Sequence, residues 1–197
     1  NNGDIYGMIF NPTTSTVTTD NITIRSRAQD EQFPAVSWHE ANGEYLVAWQ
    51  EVDNRATSGN WNQFVYNYDI VAQRISAVGV ASGAVFTITS AIDGQWEPKV
   101  DSNENDDSWL VTWHDHRYRT GMPRTPNPQT GKEIFGKWVN GDSSLSAEIV
   151  MSRIVMSSAN NSGTATPAAR DQQYSAVAIN SDGDAYVTWG DLREATG

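Results

Sequence analysis

Residues 94–117 read GQWEPKVDSNENDDSWLVTWHDHR, and residues 31–55 read EQFPAVSWHEANGEYLVAWQEVDNR. Each stretch is two extended runs joined by a short polar turn, NENDD or EANGE, whose Asn, Asp and Gly supply the backbone conformations a tight hairpin needs. The second run closes on a Trp, Trp113 or Trp49, and thirteen residues upstream of each lies a Val, Val100 or Val36, that opens the first run. A third copy is found at 171–197, DQQYSAVAINSDGDAYVTWGDLREATG, with Trp189 and Val177 twelve residues apart. Apolar and β-branched residues in short runs predict strands, and no stretch of a dozen residues carries a 3.6-residue period.

A third strand follows each hairpin after a loop of variable length: IYGMIF from Ile5, IVAQRI from Ile70, IFGKWV from Ile134. A fourth comes after a Gly- or Ser-bearing turn: NITIRS, AVFTITS and EIVMSRIVM. The third and fourth strands belonging to the 171–197 hairpin are therefore those at the beginning of the numbering. Four antiparallel strands repeating at this period predict an all-β, β-propeller-type fold with three four-stranded blades in one domain, 1–197. The blades are 31–94, 95–170, and a split one made of 171–197 plus 1–30.

The chain has 197 residues, 38% of them hydrophobic and eight of them Trp, which is enough for a substantial core. Thirteen Lys and Arg against 24 Asp and Glu give a net charge of -11, which opposes binding to a phosphate backbone. No apolar run approaches the roughly 20 residues of a membrane-spanning helix. Without Cys there is neither disulfide nor thiolate chemistry. The signatures G-x-S-x-G and H-E-x-x-H and a phosphate-binding glycine loop are missing, so a non-enzyme is expected. Glu40, Glu51 and Glu97 are the acids outside the repeat that a glycosidase reading would have to use.

The pieces YLVAW...DNR...DIVAQRI, WLVTWHDHR...EIFGKWV and YVTWGDLR...DIYGMIF resemble TolB-like propeller blades. They are still more similar to repeats of bacterial extracellular multidomain proteins with D-x-R followed by D-I-Y-G. The resemblance covers nearly the whole chain and implies a propeller-type fold and an extracellular or cell-surface location. It does not specify an activity, because propellers host many.

Three sets of residues carry the expected chemistry. Asp53 and Arg55, Asp115 and Arg117, and Asp191 and Arg193 follow the strand-ending Trp, while Asp69, Glu133 and Asp4 open the next strand. One guanidinium between two carboxylates in each blade predicts a structural ion pair rather than a catalytic dyad, because it recurs in every repeat. Around the mouth of the expected central channel, Phe33, Trp96 and Tyr174 are equivalent aromatics of the three blades, each preceded by a Gln (Gln32, Gln95, Gln173), and with the loop residues Trp61, Phe64 and Tyr66 they form a set suited to stacking on sugar rings. In the hairpin turns and beside them, Asp101, Asp106, Asp182 and Asp184 offer hard oxygen ligands that calcium would accept. No other cofactor is implied.

Three blades are fewer than the four to eight of typical propellers. The expectation is therefore a structural or adhesive surface module whose partner is itself, with the split blade completed between chain ends in a six-bladed dimer or a filament; a third reading is that the 197 residues are one stretch of a longer array. A lectin-like propeller that binds glycans is the alternative, and a glycoside hydrolase a lesser one.

Overall fold

The computed structural model describes residues 3–52, 68–91, 94–115, 132–152 and 172–191. Twelve strands are found among them: β1 (Ile5–Asn11), β2 (Thr16–Arg25), β3 (Glu31–His39), β4 (Glu44–Val52), β5 (Tyr68–Ser76), β6 (Ala81–Thr89), β7 (Gln95–Asn103), β8 (Ser108–Asp115), β9 (Glu133–Asn140), β10 (Ile149–Val150), β11 (Gln172–Ile179) and β12 (Ala185–Asp191). The polar turns reverse the chain as their composition demands. Each has a residue at positive φ, Gly43, Asp107 or Gly183, where the hairpin must fold back.

All pairings are antiparallel, and the strands form sheets of two, four, four and two: β1-β2, β3-β4-β5-β6, β7-β8-β9-β10 and β11-β12. Of the fourth strand expected from EIVMSRIVM, Ile149 and Val150 pair with Gly136 and Phe135, and residues 153–156 lie outside the described residues. No helix among the described residues is long and apolar enough to cross a membrane.

The registers make the repeats superimposable. Trp49 lies opposite Val71 and Trp113 opposite Phe135, while Glu51 faces Asp69 and Asp115 faces Glu133. On this alignment Leu46, Leu110 and Tyr186 are equivalent, as are Val36, Val100 and Val177, and Ile70, Ile134 and Ile5.

Side chains alternate across a strand, so each four-stranded sheet has two faces to bury. Leu46, Ala48, Ile70, Ala72 and Ile88 on one face of the β3–β6 sheet pack against Trp109, Val111, Trp113, Phe135 and Val139. On the other face Val47, Trp49, Val71 and Ile75 pack under Ile5 and Ile24 of the β1-β2 hairpin. The far face of β8 is covered by β11, where the Thr112 and Ser175 hydroxyls lie 3.0 Å apart. Trp49 and Trp113 are fully buried, whereas Trp189 in the two-stranded sheet is half-buried.

Polar contacts fix how neighbouring sheets sit. Asp101 on β7 accepts from the Ile179 backbone N–H at 2.7 Å and from the Ser37 hydroxyl at 3.3 Å, tying three first strands together. The Glu104 carboxylate accepts the backbone N–H groups of Glu40 and Ala41 in the neighbouring turn. Asn105 donates to the Ser181 carbonyl in the turn beyond. One junction appears twice: the Glu31 N–H donates to the Gly3 carbonyl, and the Gln172 N–H to the Lys132 carbonyl, both at 3.0 Å. Gly3 precedes β1 as Lys132 precedes β9, so β1-β2 meets the sheet after it as β9-β10 meets β11-β12.

Replacing Trp113 with Ala removes one of the two largest side chains, with Trp109, from the seam between the two four-stranded sheets. A loss of roughly 3 to 5 kcal/mol in unfolding free energy is expected from urea titration, and a variant as stable as the parent would contradict this placement.

Candidate functional site

At the end of the sheets where β3, β7 and β11 begin, each of these strands carries a bulge. Pairing slips between Gln32 and Ala35, between Trp96 and Lys99, and between Gln173 and Ala176. The slip is made by a non-glycine residue in the left-handed region: Phe33 at φ 54°, Glu97 at 53° and Tyr174 at 59°. Such a backbone costs on the order of 1 to 3 kcal/mol unless its surroundings hold it, and it re-aims the side chain it carries. The bulge N–H of Glu97 is held by the buried Gln50 amide oxygen at 3.0 Å. At the position equivalent to Gln50 in the next sheet, His114 sets its ring edge-to-face against Tyr174 at 6.3 Å.

This geometry revises one equivalence drawn from the sequence. Phe33, Glu97 and Tyr174 share a position, and Trp96 lies one residue earlier. Trp96 stacks on His114 at 5.7 Å and receives the edge of Tyr68 at 6.5 Å, so a row Tyr68–Trp96–His114–Tyr174 runs across this end of the sheets. Only its last member is well exposed; Phe33 is also half open to solvent. Gln95, expected beside the ligand, is fully buried and donates to the Ala91 carbonyl at 3.0 Å. Trp61, Phe64 and Tyr66 lie outside the described residues.

The expected ion pairs divide in the same way. Asp115 and Glu133 are register partners and both fully buried. In the first intact repeat the acid that aligns with Asp115 is Glu51, opposite Asp69. Its cations come from β2 and the segment after it: Arg25 contacts both Glu51 oxygens, at 2.7 and 3.1 Å, and Arg27 contacts Glu51 at 2.7 Å and Glu31 at 3.2 Å. These arginines were not singled out in the sequence, because they belong to a different strand from the D-x-R motif. Asp53, Arg55, Arg117 and Arg193 lie outside the described residues. Asp4 lies just before β1 and Asp191 ends β12, strands of two separate sheets.

The four oxygen-rich positions proposed for calcium are spread out. Asp101 is engaged by Ser37 and Ile179, Asp106 accepts from the Ser108 hydroxyl, and the Asp182 and Asp184 N–H groups donate to Asn180. Among the described residues no group of three or more His, Asp or Glu could hold a metal ion. Of the acids a glycosidase would need, Glu51 is bound by two arginines and Glu40 accepts from the Trp38 indole at 2.7 Å.

A second group of exposed residues has no parallel in the intact repeats. On β1, Tyr6, Met8 and Phe10 are exposed; the equivalents of Tyr6 and Phe10, Val71 and Ile75 in one intact repeat and Phe135 and Val139 in the other, are buried, while those of Met8 are the polar Gln73 and Lys137. On β12 Tyr186 is 73% exposed, while its equivalents Leu46 and Leu110 have no exposure at all. On β3 Val36 is 60% exposed, whereas Val100 packs into the core. In the paired order of the intact repeats, the second strand bonds to the third; here the outer edges of β12 and β1 belong to separate sheets. No protein-family description, curated protein or solved structure matches the chain.

His114 gives this region a measurable pH dependence. Burial, with Lys132 and Lys99 nearby, lowers its pKa from the ordinary 6.5 to about 3. The unfolded chain therefore takes up a proton near 6.5 that the folded chain refuses until about 3. The stability contributed by the neutral ring is complete above 6.5 and drains as pH falls towards 3, by at most about 1.4 kcal/mol per pH unit. Between pH 6.5 and 4.5 the unfolding free energy of the parent is expected to fall more steeply than that of His114→Gln; parallel slopes would contradict it.

Proposed function

We propose that this protein is a structural or adhesive module of the cell exterior that assembles with itself by completing a divided blade. In this reading β11-β12 of one copy and β1-β2 of another make one four-stranded sheet, in the order β11-β12-β1-β2. The observation that carries it is the exposure of Tyr6 and Phe10 on β1, at positions held by buried Val71 and Ile75 in one intact repeat and by buried Phe135 and Val139 in the other. An edge strand with open N–H and C=O groups and an apolar face is a template for a further strand. The repeated junction at Gly3–Glu31 and Lys132–Gln172 supports reading β1-β2 as the second half of a blade. The extracellular location rests on the resemblance of the repeats.

Two copies closing on each other make six blades, and head-to-tail addition without closure makes a filament. Sedimentation or mass photometry of the 197-residue chain is expected to show particles of twice 21.7 kDa for the ring, or a concentration-dependent ladder for the filament. A monomer at micromolar concentration would overturn the proposal.

A second reading is favoured by the bulges. Phe33 and Tyr174 are held in strained backbone and kept partly open at one mouth, which suits stacking on the C–H face of a sugar. Binding to a glycan array that is lost in Tyr174→Ala would favour this carbohydrate-binding role, and an array without hits would exclude it for the sugars displayed.

A further inference from the structure

The β1-β2 hairpin covers only part of the sheet on which it sits. Its core contacts are with Val47, Trp49, Val71 and Ile75 on β4 and β5, and Val36 on β3 stays open. In the next sheet the corresponding valine, Val100, packs against the core cluster to which Leu46 and Ala48 of its neighbour belong. The surface equivalent to Leu46 and Ala48 on the two-stranded sheet is Tyr186 and Thr188, and it is bare. Beside it lies an open depression of about 410 Å³, lined by Ala178, Ile179, Asn180, Asp184, Ala185 and Tyr186.

What fills the equivalent place inside the chain is known. Trp109 lies against the His39 ring at 5.1 Å, and His39 Nε2 lies 3.1 Å from the Asn103 carbonyl. Asn180 is the counterpart of His39, and Tyr45 is the counterpart of Trp109. Tyr45 is half-buried, with Trp38 packed beside it at 4.6 Å. The chain thus holds a matched socket and plug at opposite ends of its row of sheets.

We infer that the outer face of β11-β12 is a docking surface for a second copy of this chain, received on β3 and β4 over Val36, Ser37 and Tyr45. This rests on the divided-blade reading and adds to it a face as well as an edge. The contact is a further instance of the one already made between the β3–β6 and β7–β10 sheets, with Tyr45 entering the Ala178–Tyr186 depression. Its inner point is set by the Ser37–Asp101 contact, whose counterpart between copies is Ala178 against Ser37. Along the edge, the registers of Trp49 with Val71 and of Trp113 with Phe135 place Trp189 opposite Tyr6 and Val187 opposite Met8.

The absence of native cysteine allows both contacts to be read by cross-linking. Single variants Ser37→Cys and Ala178→Cys, mixed and oxidised, are expected to give a covalent dimer that neither gives alone. Met8→Cys mixed with Val187→Cys reads the edge separately, because paired residues of adjacent strands stand within disulfide reach. Met8→Cys with Thr188→Cys is the out-of-register control and is expected to give no link. Val36→Asp and Tyr186→Asp, both on exposed positions, are expected to weaken assembly at least tenfold while the circular dichroism spectrum of the chain stays unchanged. Assembly with the edge link formed, but no Ser37–Ala178 link and no effect of either Asp, would overturn face docking and leave the edge reading standing. A monomeric chain with neither link would overturn both.

Discussion

The rest of the structure depends on burying both faces of a sheet. β4 and β8 carry the runs LVAW and WLVTW, which leave neither side fit for water. An antiparallel sheet commonly solvates one face and shows an alternating pattern for that reason. A strand that is apolar on both sides must instead be enclosed between two neighbours, and each neighbour inherits the same requirement on its own far side. The fold is therefore a row in which every sheet obliges another to exist. The Trp residues set the spacing of the row, because Trp49 and Trp113 fill the seams that their sheets share with the preceding one.

Polar groups in this row do the work of alignment rather than of cohesion. A hydrogen bond exchanged with water contributes on the order of 1 kcal/mol, less than the burial of one large side chain. Its geometry is narrow, however, and the Asp101 bridge between Ser37 and Ile179 permits only one offset among three first strands. The Glu104 carboxylate does the same for the turns. Its removal from water would raise its pKa, but the Glu40 N–H, the Ser102 hydroxyl, charge from His39 and the Ala41 N–H together hold it below the usual carboxylate range.

Much of this was legible in the sequence, and the exceptions have physical causes. Strand order within each repeat, the polar turns and the buried Trp49 and Trp113 follow from runs and spacings that one strand carries by itself. The Phe33, Glu97 and Tyr174 equivalence was not legible, because matching aromatic to aromatic places Trp96 in the bulge, whereas backbone register places Glu97 there. The cations around Glu51 were likewise hidden. The motif next to the acid pointed to a neighbour in sequence, and the structure supplies Arg25 at the end of β2 and Arg27 just after it. Contacts between sheets leave no periodic trace in the chain, so a reading by period finds strands and misses their partners.

The burial pattern of β12 shows what the requirement of two covered faces means at the limits of the row. Its sequence, AYVTWGD, alternates where LVAW and WLVTW are buried throughout, with Val187, Trp189 and Asp191 turned inward and Tyr186, Thr188 and Gly190 outward. The outward set is not simply a solvated face, since Tyr186 stands where two buried leucines stand elsewhere. Exposing an aromatic ring of this size forgoes stabilisation of about 1.5 to 3 kcal/mol, and the same holds for Tyr6 and Phe10 on β1. Single exposed apolar residues are ordinary on any surface. Here, however, they occupy the very repeat positions that the interior sheets bury, at both limits of the row and on complementary faces.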